Sequence, residues 1–447
     1  MAKAKKGGVD WSNVRDLALF VFAIALIAGA YGYAAALHNW FPARQVEQAG
    51  VVIDKIKEEL GWKLPWYYKK VGNLPAIKTY QAGKVAPGLV LVTGLGSENH
   101  PEARVIDSQG KVYQRWSIDW FQLWPNATHI AEQIRPKGAP GPNIHGVMIA
   151  DNGDLVFNMD WAALIRMDAC GHVRWKLPHM THHSLFRDDD GNFWVPDLKM
   201  GKMHDPHFPG YVEGTYDYSV TKVSPDGKIL KSWRIFDILL NNGLESYLYL
   251  SPQISEEPHM KGDTLHLNDV EVFPRSMAPG IFQPGDVMIS LRNINMVLVF
   301  DPATGKVRHV FNGPFIHQHD PDFVDGNSIT VFDNYSHTLD TPQQRSRIVQ
   351  VYADGSPARI LFEGSKAHPF FTDIMGKQQL LSNGDRLLTE TVNGRALEID
   401  AAGHPVWEYR NFVKPGVVGM IDEAQHLPLS MNASFFERAR ETCGAKS

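Results

Sequence analysis

Asp151-Asn-Gly-Asp-Leu-Val-Phe-Asn-Met-Asp160-Trp-Ala-Ala-Leu-Ile-Arg-Met-Asp168-Ala-Cys-Gly-His-Val-Arg-Trp-Lys-Leu177 is the stretch on which the fold turns. A tight turn, Asp151-Asn152-Gly153, opens it and leads into Leu155-Val156-Phe157. Leu164 to Met167 follow, then a second turn from Asp168 to Gly171, then Val173 to Leu177. Short β-rich runs joined by Asp/Asn-Gly turns read as antiparallel hairpins, because such turns supply the positive φ that matches strand twist.

The same grammar returns on both sides of this stretch. Gly88 to Val92 leads to Arg104 to Asp107, Gly110 and Arg115-Trp116. Gly191 to Val195 leads to Val223, Asp226-Gly227 and Ser232-Trp233. Gly285 to Ile289 leads to Leu298 to Asp301, Gly305 and His309 to Phe311. Asn327 to Val331 leads to Ile348 to Val351, Asp354-Gly355 and Ile360 to Phe362. Gly384 to Leu388 leads to Leu397 to Asp400, Gly403 and Val406-Trp407. Six units of four short antiparallel strands predict an all-β, six-bladed β-propeller over residues 85–414. One such unit cannot bury both its faces, so the units must stack on one another. A β-sandwich is the rival, but it would not demand the same turn chemistry six times. Two interruptions, Met200 to Ser219 and Phe236 to Asp263, are expected as loops on one rim.

The N-terminus carries Lys3, Lys5 and Lys6, then an uncharged run from Leu17 to Leu37, then Trp40 and Phe41. About 20 apolar residues span a bilayer, and interfacial aromatics flank such spans. The basic start predicts a single-pass anchor over residues 1–43, in the inner (cytoplasmic) membrane, with the rest of the chain in the periplasm. A cleaved signal peptide ending near Ala34-Ala35-Ala36 is the alternative, but apolar regions of signal peptides are shorter. Val46, Ala49, Ile53, Ile56 and Leu60 recur at helical spacing within residues 44–84, an expected amphipathic stalk. Residues 415–447 are expected as a tail with a short helix capped at Ser434.

The formal net charge of −5 gives no basic footprint, so no nucleic-acid partner is expected. Two cysteines, Cys170 and Cys443, are too few for a disulfide framework or a thiolate zinc site. They read either as one disulfide or, as expected here, as two idle thiols. Asn-x-Ser/Thr triplets at Asn126, Asn334 and Asn432 read as chance.

The polar residues show a second regularity. His145 lies eight residues before Gly153, His183 eight before Gly191 and His319 seven before Gly326. His266 takes the matching place before Gly285, displaced by an insertion. All four should begin the innermost strand of their units. Arg292 lies seven residues after Gly285, at the end of a second strand. Antiparallel pairing puts that end on the same rim as the histidines. Asp160, Asp333 and Thr391 fall in the slot of Arg292 in other units. A single histidine of this kind is more often a satisfied core residue; four at one repeat position beside an arginine point to a site. No paired-histidine helix motif and no carboxylate cluster of ligand spacing occurs, so no metal is expected. His204 and His207 lie in a polar loop and are expected to be solvated.

At these residues the sequence resembles the bacterial arylsulfotransferase family. The matching segments are His182-His183 before Asp190-Gly191-Asn192, His266-Leu267-Asn268, Ser290 to Asn293 before Val299-Phe300-Asp301, and Gln318-His319-Asp320. The resemblance implies a six-bladed propeller that moves a sulfuryl group from an aryl sulfate to a phenolic acceptor, with no cofactor and no phosphoadenylyl sulfate. It also implies His319 as the transiently sulfated nucleophile and His183, His266 and Arg292 as its catalytic partners. Asn268 is then a sulfate-holding residue, and His145 and Thr391, from their places in the repeat, are expected substrate-binding residues. The family's best-understood members carry a folded N-terminal domain and a local disulfide with no counterpart here. Two other readings remain open on the residues alone: a non-catalytic propeller binding a sulfated or anionic ligand or a partner protein, and a metal-dependent hydrolase or lactonase.

Overall fold

The computed structural model describes residues 11–38, 40–42, parts of 45–58, 62–132, 134–200, 205–250, 260–336 and 344–444. Lys3, Lys5, Lys6, Ile56, Leu60 and His204 lie outside the described residues. The chain divides into two compact units, Met1–Trp66 and Tyr67–Ser447.

The first unit contains a helix, Trp11–His38. Its segment Arg15–Ala36 has a mean hydropathy of 2.1. At about 1.5 Å per residue that segment is about 33 Å long, enough to cross a bilayer's hydrocarbon. Leu17, Phe20, Phe22 and Ile27 project from it exposed.

The second unit is almost wholly β-sheet. Sheet 1 contains Val90–Leu95, Pro101–Ile106 and Val112–Ser117, with Ile421–His426 on its inner edge. Sheet 2 is Ile144–Ile149, Leu155–Met159, Ala163–Met167 and Val173–Leu177. Sheet 3 begins with a broken strand, Met180–Thr181 and Phe186–Arg187, and continues through Phe193–Met200, Tyr211–Val223 and Ile229–Arg234. Sheet 4 is Leu267–Val272, Val287–Leu291, Met296–Phe300 and Val307–Phe311. Sheet 5 is His319–Asp325, Ser328–Asp333, Arg347–Tyr352 and Arg359–Glu363. Sheet 6 is Lys377–Leu380, Arg386–Glu390, Arg395–Ile399 and Pro405–Arg410.

Side-chain alternation explains how the sheets join. In sheet 2, Leu155 and Phe157 pack with Leu91, Ala103 and Val105 of sheet 1. Val156, between them, faces the other way and packs with Phe193 and Val195 of sheet 3. Period-two geometry lets one strand feed two interfaces. Further apolar clusters join sheet 3 to 4, 4 to 5, 5 to 6, and 6 back to 1. Inner strands of neighbouring sheets touch as well, and Ile421–His426 meets both Ile144–Ile149 and Lys377–Leu380.

The turns repeat with a shared chemistry. Asp168 Oδ1 accepts from the Cys170 and His172 backbone N–H groups, each at 2.9 Å. Asp107, Asp188 and Asp400 do the same two and four residues on. This carboxylate-to-backbone bond is why the Asp-x-x-Gly signal recurs.

Several expectations change. Residues 415–447 are not a separate tail: Ile421–His426 pairs with Val90–Leu95, because sheet 1 has no inner strand from its own segment. Ile77–Thr79, within the expected stalk, adds to the outer edge of sheet 6, against Pro405–Arg410. The interruption from Met200 is largely strand, since Tyr211–Val223 extends beyond its neighbours. The second one holds a helix, Ile235–Asn241, whose Phe236 and Leu239 are buried. The C-terminal helix, Ala433–Gly444, is capped by Asn432 rather than Ser434, because Asn432 Oδ1 accepts the Phe435 N–H at 3.1 Å.

Gly146, next to His145, has a φ of 89°, and a Cβ there would lie 2.1 Å from the His183 carbonyl oxygen. Both the backbone conformation and the close approach of sheets 2 and 3 require glycine. Gly146→Ala should cost about 2 kcal/mol or more of unfolding free energy. Urea titration checks this; an unchanged midpoint would contradict the close approach.

Candidate active site

The four repeat-position histidines lie where inner strands begin, with one departure. His145 sits in Ile144–Ile149, His319 opens His319–Asp325, and His266 immediately precedes Leu267–Val272. His183 lies in the break of the sheet 3 inner strand, with φ at 55°. The break turns its side chain into the group. Its ring centroid is 4.5 Å from that of His145, 4.9 Å from His266 and 6.3 Å from His319. Trp161, also in a left-handed conformation, stacks on His182 at 4.2 Å and presents its face or edge to His183 and His266.

Hydrogen bonds fix the His319 tautomer. Asn334 is fully buried, and its Nδ2 donates to the Thr372 and Met375 carbonyls at 3.0 and 2.8 Å. Its Oδ1 must therefore face His319 Nδ1, 2.7 Å away, and accept from it. The proton sits on Nδ1, which leaves a lone pair on Nε2. Burial first, then the charge of Arg292, holds the His319 imidazole well below its ordinary range, against the Asn334 bond. His319 is neutral at pH 7.

His266 has a different partner. Its Nδ1 pairs with the carboxylate of Asp263, which also accepts the Tyr218 hydroxyl at 2.7 Å. His266 Nε2 lies 3.2 Å from His183 Nε2, and His183 Nδ1 lies 2.7 Å from His182 Nδ1. Asp263, His266, His183 and His182 thus form one hydrogen-bonded line. Burial holds His182 and His183 well below the ordinary imidazole range, with neighbouring histidines adding to the effect.

Arg292 follows Val287–Leu291, where the repeat puts it, and is half-buried. One terminal nitrogen donates to Asn293 Oδ1 at 3.1 Å, while its buried Nε has no partner. Burial depresses its pKa, with Asp263 and Asp373 pulling the other way. A desolvated guanidinium with an unused donor is a site for an oxyanion. Asn268 Nδ2 donates to the Gln318 carbonyl at 2.7 Å, so it holds the residue before His319 in place. Asp160 accepts the His183 backbone N–H at 3.2 Å. Thr391 is buried in the slot matching Arg292, its hydroxyl unpartnered; no hydrogen bond joins it to the histidines.

A cavity of about 610 Å³ adjoins the group, lined by Trp161, Met180, Leu198, Tyr216, Asp160 and Asp263 among others. A second, polar cavity of about 380 Å³ is lined by Asp269, Asp320, Lys377 and Glu423 among others. There Lys377 bonds Asp320 at 2.7 Å and Asp269 at 3.2 Å. Asp269 and Asp320 directly follow Asn268 and His319, so the lysine ties together the two strands that carry them. Burial pushes Asp269 up to about 6 and Glu423 up to about 7.

Sequence reading missed Asn334, Asp263, Tyr218, Trp161 and Lys377. Asn334 stood in plain view as a supposed chance triplet; its position, fifteen residues after His319 at the end of the adjacent strand, was the available signal. His145, Asp160 and His183 hold ligand atoms within 4.8 Å of one another. His182 already occupies His183 Nδ1, which weakens that trio as a metal centre.

The model of the family described as arylsulfotransferase (ASST) matches residues 147–412. The chain belongs to the arylsulfotransferase family. That family's activity is transfer of sulfuryl groups from aryl sulfates to phenols without phosphoadenylyl sulfate. No curated protein matches this arylsulfotransferase-family chain. Similar solved structures include a protein of unknown function from Bacteroides caccae, 14% identical over 76% of this chain and 98% of that one, with a TM-score of 0.46. Virginiamycin B lyase from Staphylococcus aureus is 12% identical over 60% and 69%, with a TM-score of 0.34. The Neurospora crassa Pan2 WD40 domain is 9% identical over 75% and 82%, with a TM-score of 0.36.

The buried neutral histidines make stability depend on pH. Unfolded histidines protonate near about 6.5, while His182 stays neutral well below that in the fold. The stability it contributes is present above that pH and is lost as pH falls, by at most about 1.4 kcal/mol per unit. Raised carboxylates such as Glu423 act in the opposite sense, so a difference measurement is needed. The gap in unfolding free energy between wild type and His182→Gln should narrow as pH falls from about 7 to 5. Urea titrations at stepped pH read it, and a constant gap would refute a neutral His182.

Proposed function

We propose that this chain is an aryl sulfotransferase working through a sulfo-histidine at His319, on a six-bladed propeller held to the inner membrane by its N-terminal helix with the catalytic unit in the periplasm. The six sheets are its blades, and their inner strands line the channel. The observation that carries the reading is the His319 tautomer: Asn334 commits Nδ1 as donor, leaving Nε2 as a neutral nucleophile beside Arg292.

In the first step His319 Nε2 attacks sulfur, the S–O bond breaks, and the phenolate leaves. Arg292 holds the sulfonate oxygens with charge and planar donors. His145 adds a donor, since its buried Nδ1 has no hydrogen-bond partner, while His183 holds His266 in place through its Nε2. His266, its Nδ1 held by the Asp263 carboxylate, protonates the departing phenolate. In the second step the acceptor phenol returns a proton to His266 as its oxygen attacks sulfur, and His319 leaves neutral. Nucleophile and acid are both histidines, separated by their partners, an amide and a carboxylate. The apolar walls Met180, Leu198 and Trp161 suit an aryl ring. No cofactor and no metal takes part.

Release of nitrophenol from nitrophenyl sulfate, stimulated by a phenol acceptor, is the test. His319→Ala should abolish it, and Arg292→Ala should reduce it about 100–1,000-fold. Acceptor-dependent release that survives His319→Ala would overturn the nucleophile assignment. Absence of release from any aryl sulfate would leave a binding propeller as the reading.

The acid is tested separately. His266→Ala and Asp263→Asn should slow phenyl sulfate, whose leaving group is basic, far more than nitrophenyl sulfate, whose leaving group needs little protonation. Equal losses on both substrates would remove His266 from that role.

A further inference from the structure

Cys170 and Cys443 stand 273 positions apart, yet the structure brings them together. Their sulfur atoms and an Asp168 oxygen lie within 4.8 Å of one another. Cys170 is exposed in the turn between the last two strands of sheet 2, and Cys443 is buried in the last turn of the C-terminal helix. Each thiol also makes a long contact to a backbone carbonyl of that helix, Cys170 to Arg440 at 3.6 Å and Cys443 to Ala439 at 3.4 Å.

The seat between them is built for close approach. Ala169, Ala439 and Cys443 form a small buried apolar cluster. Gly153, in the turn between the first two strands of sheet 2, faces Ala439, where any added side chain would collide. Arg440 reaches past the pair to the Tyr113 carbonyl and Gln114 Oε1 of sheet 1 at 3.0 and 2.7 Å. The helix is therefore pinned across sheets 1 and 2 with its cysteine over the sheet 2 turn.

We propose that Cys170 and Cys443 are a disulfide site, a covalent clasp that locks the C-terminal strand and helix into the closed circuit of sheets. Two thiols give one S–S bond, two protons and two electrons; an exchangeable disulfide donor takes the electrons and leaves as two thiols. The exposed Cys170 starts the exchange, since burial and then the Cys170 and Asp168 neighbours push the Cys443 thiol up to about 11. Cys443 then displaces the donor from the mixed disulfide. Oxidising compartments make such bonds lasting. The bond would close a loop containing sheets 3 to 6 and one strand each of sheets 1 and 2, the kind of long loop where a cross-link restricts the unfolded chain most. It does not depend on the sulfotransferase reading.

The test is peptide mapping of the full chain purified without reductant and equilibrated with oxidised glutathione, with free thiols alkylated before trypsin. Cleavage at Arg166, Arg174, Arg440 and Lys446 isolates one cysteine in each of two short peptides. The expected result is one cross-linked species lighter by two hydrogens than the pair, absent in Cys170→Ser. Oxidised wild type should also melt several degrees above Cys170→Ser, a gap that closes with dithiothreitol. Two alkylated thiols after that treatment would overturn the proposal. So would stable glutathione adducts without the cross-link, or a bound metal at the pair by elemental analysis.

Discussion

The pairing of Ile421–His426 with Val90–Leu95 is the contact on which the rest of the second unit depends. Each four-stranded sheet has two apolar faces and needs two neighbours. Sheet 1 receives its inner strand from the far end of the chain, so the last interface closes only when nearly all residues are in place. Ile421 and Ala424 pack with Val92 and with Leu387 and Ala396 of sheet 6. The next residues run straight into the helix that crosses sheets 1 and 2. Closure, and the histidine group it surrounds, therefore rest on a non-local contact that loop entropy makes slow to form.

Closure also explains how polar groups survive at the centre. Inner strands present alternate residues inward, where they meet side chains from other sheets instead of water. The histidines occupy one end of this interior, and Lys377 with its carboxylates occupies another part. Burial depresses His182, His183 and His319, and burial raises Asp269 and Glu423. Both shifts favour the neutral form, as desolvation requires. Lys377 is the exception, since Asp320 and Asp269 more than reverse the effect of its burial. One charged side chain thus anchors the strands that carry Asn268 and His319.

The repeat was legible because its turns are local chemistry: an aspartate bonding its own backbone leaves the same short pattern wherever a hairpin forms. The histidine positions were legible for the same reason, being measured from those turns. What was illegible was non-local. Nothing near Ile421 says that its partner is Val90, and nothing near Asn334 says that its amide points at His319. The positive φ of His183 and Trp161 was hidden too, because neither residue type favours that conformation; packing imposes it. Asn432 displaced Ser434 as the helix cap through competition between two good capping residues.

The two central histidines show how partners can divide labour between identical side chains. An imidazole donating to an amide oxygen gains orientation but little charge compensation, so its proton count stays fixed and its free nitrogen stays nucleophilic. An imidazole donating to a carboxylate, as His266 does to Asp263, is oriented by a charged partner instead. In the proposed mechanism, exchanging Asn334 for aspartate would give His319 the same kind of partner as His266 and favour protonation of the nucleophile. In the proposed mechanism the amide partners the nucleophile and the carboxylate partners the acid. The fold holds each in place: Asn334 by two backbone carbonyls, and Asp263 by a tyrosine hydroxyl.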